Sequence, residues 1–228
     1  LRLLGYSRQI MPCNWKLYFE NARDPYHATL LHAFFTTFGL FRADAHTRAQ
    51  PSDDGRHEVT FSWFDGKATE KNKDLSGEIK GILTDLKLHD MEIVTPRQEF
   101  GDDGRIGTLE VFPSMVLQQH VNTLAVRHII PKSPTSTELS WIYFGYEDDD
   151  EQLRRLRLKQ GNLTGPAGYV SLDDSEVLKQ MQPVVQNYPE SVQVVEMHGR
   201  DHIGVSETSV SESMIRAFYT FYRREMGL

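Results

Sequence analysis

The sequence predicts an α+β fold in which helices pack on one antiparallel β-sheet. Between residues 91 and 146, apolar segments of strand length are separated by Gly, Asp, Asn and Pro turns, as in an antiparallel meander. Segments with apolar residues at helical spacing lie on both sides of this region. The 228 residues are 39% apolar and 25% charged, which are ordinary values for a single globular domain with a sizeable core.

The first half of the chain is predicted to alternate between strands and helices. Pro25 divides a helical pattern into two pieces, because proline interrupts the hydrogen-bond ladder of a helix. The polar, turn-rich residues 42–58 indicate a loop. The predicted elements are a strand at 1–13, two helical pieces within 14–38, a strand at 58–64 and a helix at 71–90 that Asp74 caps.

The second half is predicted to complete the sheet and to end in a helix. Its predicted elements are strands at 91–96, 107–120, 123–133 and 137–146, helices at 147–163 and within 165–188, a strand at 191–197 and a helix at 207–226. The last helix carries an apolar stripe at Val210, Met214, Phe218 and Tyr222. This stripe predicts that one face of the helix packs on the core.

Composition excludes several classes of function. The net charge is −7 and no basic stripe interrupts it, so we expect no binding to nucleic acid. No apolar run approaches the ~20 residues of a membrane span, so we expect no membrane association. Cys13 is the single cysteine, which excludes an internal disulfide and indicates a reducing, cytoplasmic location. Because the chain opens on Leu1 in a strand-like segment, we expect it to be part of a longer protein.

Two of the nine histidines, His27 and His32, are candidate metal ligands. On an ideal helix, side chains five residues apart differ in direction by about 140°, so one ion could bind both only if the helix were distorted, for example by a π-type bulge. Asp24 precedes His27 by three residues and could fix its tautomer, and Asn21 offers a neutral amide nearby. The alternative is that both are ordinary residues of an apolar helix. For each of the other seven histidines we favour a structural or solvent-exposed role over metal binding.

A third ligand is available after a glycine-rich turn. The segment GPAGYVSLDD ends in Asp173 and Asp174. Two histidines and one carboxylate on one face of an ion leave positions open for oxygen and substrate, which is the facial triad of non-haem iron(II).

These segments resemble a known family. NWKLYFENARDPYHATLLH, residues 14–32, resembles the catalytic-domain signature of the large (alpha) subunit of Rieske-type aromatic-ring-hydroxylating oxygenases. GPAGYVSLDD resembles the segment that delivers the third iron ligand in that family, and residues 137–174 look most like its aromatic-acid branch, such as salicylate 5-hydroxylase and terephthalate dioxygenase. The resemblance implies a mononuclear iron catalytic domain over residues 1–228, with a helix-grip (TBP-like or Bet v 1-like) fold.

The resemblance also implies a role for each residue of the motifs. His27, His32 and Asp174 correspond to the ligands of Fe²⁺, with Asp173 as the neighbour of the carboxylate ligand. Asp24 corresponds to the aspartate that links the iron site to the Rieske cluster of an adjacent subunit and serves electron transfer. Asn21 corresponds to an asparagine near the iron.

The resemblance also implies further components, which this chain does not supply. Members of the family carry an N-terminal Rieske domain whose 2Fe–2S cluster is held by two cysteines and two histidines, and one cysteine cannot provide this set. We therefore expect the Rieske domain to be absent from this chain, and the chain alone to be inactive. The implied partners are O₂, an aromatic acid, a ferredoxin or reductase, and further subunits in a homotrimer or an α3β3 assembly.

An aromatic acid requires an apolar slot and one cation. Arg127 lies in the apolar run LAVRHIIP and is the candidate for binding the carboxylate, because a guanidinium matches a carboxylate with two parallel hydrogen bonds. A structural salt bridge or exposure to solvent are the alternatives for Arg127, and Arg216 is a second candidate. Phe112 and Trp141 are candidate pocket walls, with core packing as the alternative for both.

We therefore expect an oxygenase that adds one or two hydroxyl groups to an aromatic ring. One alternative is a non-catalytic helix-grip module that binds an aromatic acid. A structural zinc domain fits less well, because such sites favour closed sets of four ligands rich in cysteine. The identity of the acid and the presence of a β subunit are open at this level.

Overall fold

Seven strands form one antiparallel sheet in the computed structural model, which describes residues 1–38, 45–63, 88–99, 105–192, 194 and 196–228. The strands are β1 Arg2–Met11, β2 His46–Pro51, β3 Glu58–Trp63, β4 Arg105–Val111, β5 Met115–His120, β6 Thr123–Ser133 and β7 Ser136–Gly145. Their order in the sheet is β1–β7–β6–β5–β4–β3–β2, so the strands from β2 to β7 form a meander and β1 pairs with the last of them.

The helices cover one face of this sheet. They are α1 Trp15–Ala22, α2 His27–Leu31, α3 Ala33–Phe38, α4 Glu151–Thr164, α5 Ser171–Asn187 and α6 Ser213–Met226. Helix α1 contacts β6 and α5, and α5 also contacts β1, while α4 contacts β6 and β7. The buried residues of β6 alternate with less buried ones, as expected for a sheet with one face packed on the core. None of the helices in the described ranges is long and apolar enough to span a bilayer.

An aromatic core joins the helices to the sheet. Phe19 of α1 and Phe218 of α6 are fully buried, with ring centroids 5.0 Å apart. Phe112, which follows β4, lies 6.1 Å from Phe19 and 5.0 Å from Phe221. Burial of rings in edge-to-face contact stabilises the packing of both helices on the sheet.

Residues 46–51 form a strand, so the loop predicted there is wrong. Thr47 and Ala49 of β2 are buried, whereas His46, Arg48 and Gln50 are exposed. Because β2 lies at the edge of the sheet, its outward positions are polar. This polarity is what made the segment resemble a loop.

Two other segments predicted as strands are not strands. Met91–Ile93 form a 3₁₀ helix, which Asp90 caps by accepting a hydrogen bond from the backbone N–H of Glu92. The described residues between 191 and 197 pair with no described strand, and Val192 is 87% exposed there. β-Branched residues favour a strand only where a sheet edge is available to pair with.

The last helix is shorter than predicted. It begins at Ser213. Before it, Ser206 Oγ donates a hydrogen bond to the carbonyl of Thr208, and Ser211 Oγ accepts one from the N–H of Ser213. Such bonds between hydroxyl groups and nearby backbone atoms compete with helix formation. Val210 therefore lies outside the helix and is exposed, whereas Met214 and Phe218 are buried as predicted. Residues 71–87 of the helix predicted at 71–90 lie outside the described residues.

Candidate metal centre and cavity

The chain between α1 and α3 is shaped by the side chain of Asp24. Its Oδ1 atom accepts hydrogen bonds from the backbone N–H groups of Tyr26 at 2.8 Å and His27 at 3.4 Å. A carboxylate in this position satisfies N–H groups that have no partner within the first turn of a helix. Asp24 thus fixes the start of α2 at His27.

The helix is interrupted at His32, which is the kind of distortion expected if His27 and His32 bind one ion. Helix α2 ends at Leu31, α3 begins at Ala33, and His32 between them has φ −88° and ψ 81°. The distortion is therefore a break and not a π-type bulge. It brings the imidazole rings of His27 and His32 to a centroid distance of 5.2 Å.

Asp174 reaches these rings from the first turn of α5. A Cβ atom at Gly168 would collide with the carbonyl oxygens of Leu163 and Asn162, so the tight turn after α4 requires glycine. Asp174 Oδ1 lies 3.4 Å from Nε2 of His27 and 3.4 Å from Nε2 of His32. Each of the three residues offers a donor atom, and these atoms all lie within 4.8 Å of one another. Among the described residues, this is the one cluster of three or more His, Cys, Asp or Glu side chains with such spacing.

Carboxylates also face the outer nitrogens of both rings. Nδ1 of His27 lies 3.5 Å from Asp24 Oδ2, and Nδ1 of His32 lies 3.4 Å from Asp173 Oδ2. Carboxylates in this arrangement favour a proton on Nδ1 and leave Nε2 free to bind a metal. Asn21 completes the site, because its Nδ2 donates to Asp174 Oδ1 at 3.1 Å and lies 3.4 Å from Nε2 of His27.

The electrostatics favour a cation between the three donors. Burial opposes the charged form of His27, but hydrogen bonds and charge interactions with Asp174 and Asp24 outweigh burial and raise its pKa to about 10. Burial lowers the pKa of His32. Burial also opposes the charge on Asp174, yet His27, His32 and Asn21 hold its pKa below the ordinary value. Because a divalent metal ion can take the place of the proton on a histidine, the donor set fits a metal with two imidazole ligands and one carboxylate.

A cavity of about 100 Å³ adjoins these three residues. Its floor is the helix-facing side of the sheet, where the register aligns Thr60, Thr108 and Gln118 across β3, β4 and β5. Ser62, Ile106 and His120 form the next row. Burial, and after it the charge of Arg127, lowers the pKa of His120 to about 3, so this ring is neutral.

Arg127 lies at one end of the cavity. Its side chain is 8% exposed, its Nη1 donates to Tyr18 Oη at 2.9 Å, and its guanidinium lies 5.3 Å from the centroid of the Trp141 ring. Among the described lining residues it is the only arginine or lysine. It is therefore suitably placed to meet an anionic group within the cavity.

The other candidates for substrate contact lie elsewhere. Trp141 is 1% exposed and belongs to the hydrophobic core, as does the partly buried Phe112, and neither is among the described residues that line the cavity. Arg216 donates from Nε to the carbonyl of His202 and from Nη2 to that of Met197, which ties α6 to the preceding loop.

Sequence reasoning missed Gln118 and His120 as cavity residues. Their signal was the alternation within β5, where Val116, Gln118 and His120 share one face of the strand. A polar residue at a core-facing position of a strand is unusual enough to indicate a buried polar contact or a ligand.

Comparison with known proteins shows the family to which the chain belongs. A family model described as ring hydroxylating alpha subunit (catalytic domain) matches residues 4–228. The chain is 42% identical over its whole length to the alpha 2 subunit of the terminal oxygenase component of terephthalate 1,2-dioxygenase from Comamonas sp, and covers 54% of that protein. It is 39% identical, again over its whole length, to the large oxygenase component of salicylate 5-hydroxylase from Ralstonia sp, and covers 53% of it.

Solved structures show the same fold. Naphthalene 1,2-dioxygenase from Rhodococcus sp., bound to indole, superposes with a TM-score of 0.70 at 17% identity, covering 99% of this chain and 56% of that chain. The chain spans about half the length of the curated relatives that it matches. The expected antiparallel sheet with packed helices is confirmed, and the chain belongs to the ring hydroxylating alpha subunit (catalytic domain) family.

Proposed function

We propose that residues 1–228 form the mononuclear iron domain of a Rieske-type oxygenase that hydroxylates the ring of an aromatic carboxylic acid. The observation that supports this most strongly is the convergence of His27, His32 and Asp174 beside a cavity that contains Arg127. Two relatives, named for terephthalate and salicylate, support an aromatic acid as the substrate.

In this proposal His27, His32 and Asp174 hold iron(II). Three protein ligands leave positions open for small molecules, and iron(II) bound there supplies the activation of O₂. Asp24 and Asp173 orient the two imidazole rings through their Nδ1 atoms, and Asn21 orients Asp174.

Arg127 binds the carboxylate of the acid and thereby sets which ring carbon faces the metal. A guanidinium that is 8% exposed and has one hydrogen bond within the described part of the chain, to Tyr18, keeps donors available for a ligand. The cavity shields the bound ring from part of the bulk water, because the sheet forms one side of it and residues of α2 and α5 line other sides.

Electrons come from outside this domain. A 2Fe–2S cluster requires a set of cysteines and histidines that Cys13 cannot provide, so we place the Rieske domain in another part of the protein. Asp24 is proposed to link the iron site to the Rieske cluster of a neighbouring subunit, in a homotrimer or an α3β3 assembly. A ferredoxin or reductase in the cytoplasm is proposed to supply the electrons. The position of Asp24 beside His27, with its side chain about one quarter exposed, is compatible with this role.

A non-catalytic module that binds an aromatic acid is the second candidate. Such a module needs Arg127 and the cavity but has no need for three convergent donors with oriented rings. The geometry of His27, His32 and Asp174 therefore supports the oxygenase over the binding module.

The test is hydroxylation of a panel of aromatic acids by the full-length protein and its reductase, together with metal analysis. We expect about one iron per chain at this site. In His27→Ala, metal affinity and activity should fall more than ~100-fold, because loss of a metal ligand should cost at least as much as loss of a residue that hydrogen-bonds to a ligand. His128→Ala is the matched control, since His128 is an exposed histidine on β6.

Three results would contradict the proposal. Unchanged hydroxylation by His27→Ala would exclude this residue as an iron ligand. Tightly held zinc without turnover would favour a structural zinc site. Failure to retain iron after anaerobic loading, with an aromatic acid still bound, would favour the binding module.

A further inference from the structure

The sheet offers a second polar contact beside Arg127. Arg127 lies opposite Val116, and Gln118 is the next residue of β5 that faces the helices. Residues in such a diagonal relation have Cα atoms about 7–8 Å apart, a distance that long side chains readily bridge. A ring bound with its carboxylate at Arg127 would therefore carry its neighbouring substituents toward Gln118.

Three polar atoms of the cavity lack hydrogen-bond partners among the described residues. Gln118 is 4% exposed, and among the described residues its Oε1 has no hydrogen-bond donor. Nε of Arg127 and Nδ1 of His120 are likewise without partners in the described part of the chain. A buried polar atom without a hydrogen-bond partner destabilises the protein, so a ligand that supplies the missing partners gains affinity.

Arg127 and Gln118 require different hydrogen-bonding groups of a ligand. Arg127 has donors only and requires an anionic acceptor, whereas Gln118 Oε1 is an acceptor and requires a donor. Hydroxyl and amino groups donate hydrogen bonds, and an ionised carboxylate cannot. A second carboxylate in the cavity would also find no second guanidinium or ammonium group, because Arg127 is the only arginine or lysine among the described lining residues.

We propose that Gln118, with His120 beside it, is a specificity-determining residue that selects aromatic monoacids bearing a neutral hydrogen-bond donor on the ring. This inference rests on the proposed function and narrows its substrate class. It implies that an unsubstituted acid and a 1,4-diacid are both poor ligands for this chain, although one relative is named for the latter.

The test is calorimetric titration of the full-length protein under nitrogen with benzoate, 2-hydroxybenzoate, 2-aminobenzoate and benzene-1,4-dicarboxylate. We expect the hydroxy and amino acids to bind about 10-fold or more tightly than benzoate, which corresponds to one hydrogen bond to a buried group. The diacid should bind more weakly than benzoate. In Gln118→Leu the preference for the hydroxy and amino acids over benzoate should fall to less than about 2-fold.

Gln119→Leu is the matched control, because Gln119 is the next residue of β5 and points to the opposite face of the sheet. It should keep the wild-type preference. Gln118→Met is the second variant if the leucine variant does not fold, and it should show the same loss.

Equal binding of benzoate and the substituted acids by the wild type would overturn this inference, and so would a preference that persists in both Gln118 variants. In those cases the acids still bind and are hydroxylated, so the proposed function stands. If no acid binds the wild type and none is hydroxylated, the proposed function fails as well.

Discussion

Phe218 is the residue on which the aromatic core converges. It is fully buried, its ring lies 5.0 Å from Phe19 and 6.2 Å from Phe112, and the guanidinium of Arg23 lies 4.9 Å from its centroid. A cavity left at this position cannot collapse easily, because it would border both α1 and the sheet.

We predict that Phe218→Ala lowers the free energy of unfolding by about 3–5 kcal/mol, from lost burial and the cavity that remains. Urea unfolding followed by circular dichroism measures this change. Met226→Ala on the same helix is the control, because Met226 is 57% exposed, and its effect should stay within about 0.5 kcal/mol. A Phe218→Ala effect as small as that of the control would show that the core is not packed as described.

At the scale of elements, Arg23 ties the end of α1 to two strands. Its Nε lies 3.0 Å from Glu110 Oε2, its Nη1 lies 3.6 Å from Glu58 Oε2, and all three side chains are fully buried. Glu58 and Glu110 lie directly opposite each other on β3 and β4. One guanidinium between two facing carboxyl groups holds the helix that carries Asn21 against the sheet that carries the cavity floor.

The buried glutamates predict a dependence of stability on pH. Burial raises the pKa of Glu110 to about 7, although Arg23 and Arg127 oppose this, and burial together with Glu110 raises that of Glu58. Between the ordinary value near 4.5 and pH 7, the folded protein therefore holds a proton on Glu110 that the unfolded chain has released. The stability that comes from this proton is present below pH 4.5 and is lost as the pH rises through 7.

In the Glu110→Gln variant, position 110 has no carboxyl group to titrate. The free energy of unfolding should therefore fall less between pH 5 and pH 8 in the variant than in the wild type, as measured by urea unfolding at each pH. Glu151→Gln, which alters an exposed glutamate, should follow the wild type. A parallel decline in Glu110→Gln and the wild type would show that Glu110 titrates as it does in the unfolded chain.

Some elements could be predicted from sequence because a local signal defines them. Asp150 begins α4 by accepting from the N–H of Leu153, and the charged segment around it indicated a helix. The edge strand β2 and the 3₁₀ helix at Met91–Ile93 were not predictable in this way. Whether a short polar or β-branched segment becomes a strand depends on a neighbouring strand edge, which lies far away in sequence.

At the scale of the whole molecule, the candidate metal site joins distant parts of the chain. His27 is the first residue of α2 and His32 follows its last residue, whereas Asp174 is on α5, more than 140 residues later in the chain. A bound metal would therefore cross-link two elements that the unfolded chain keeps apart, and binding to the folded state alone would stabilise it.

We predict that anaerobic iron(II), at about 100 times its dissociation constant, raises the unfolding temperature by about 5–10 °C. Asp174→Asn should abolish most of this shift, because the ligand set then lacks its carboxylate charge. Asp148→Asn, in an exposed turn, is the control and should show the full shift. An equal shift in Asp174→Asn and Asp148→Asn would mean that iron binds elsewhere.

The sequence by itself determined the α+β class, most strands of the meander, the family, and the set of candidate ligands His27, His32 and Asp174. These follow from local patterns: alternation in strands, turn residues between them, and motifs within short segments. Once both histidines are assigned to one ion, the distortion at His32 also follows, because residues five apart on a regular helix cannot present two rings to one ion.

Only the tertiary structure decided which side chains surround the cavity. Gln118, His120 and Arg127 come from adjacent strands, and the register of those strands decides which of their residues lie side by side. The tertiary structure also shows that Arg127 lines the cavity, whereas Phe112 and Trp141 lie in the core. The physical reason is that register and packing are set by contacts between distant segments, whereas the patterns that identify a motif lie within one segment.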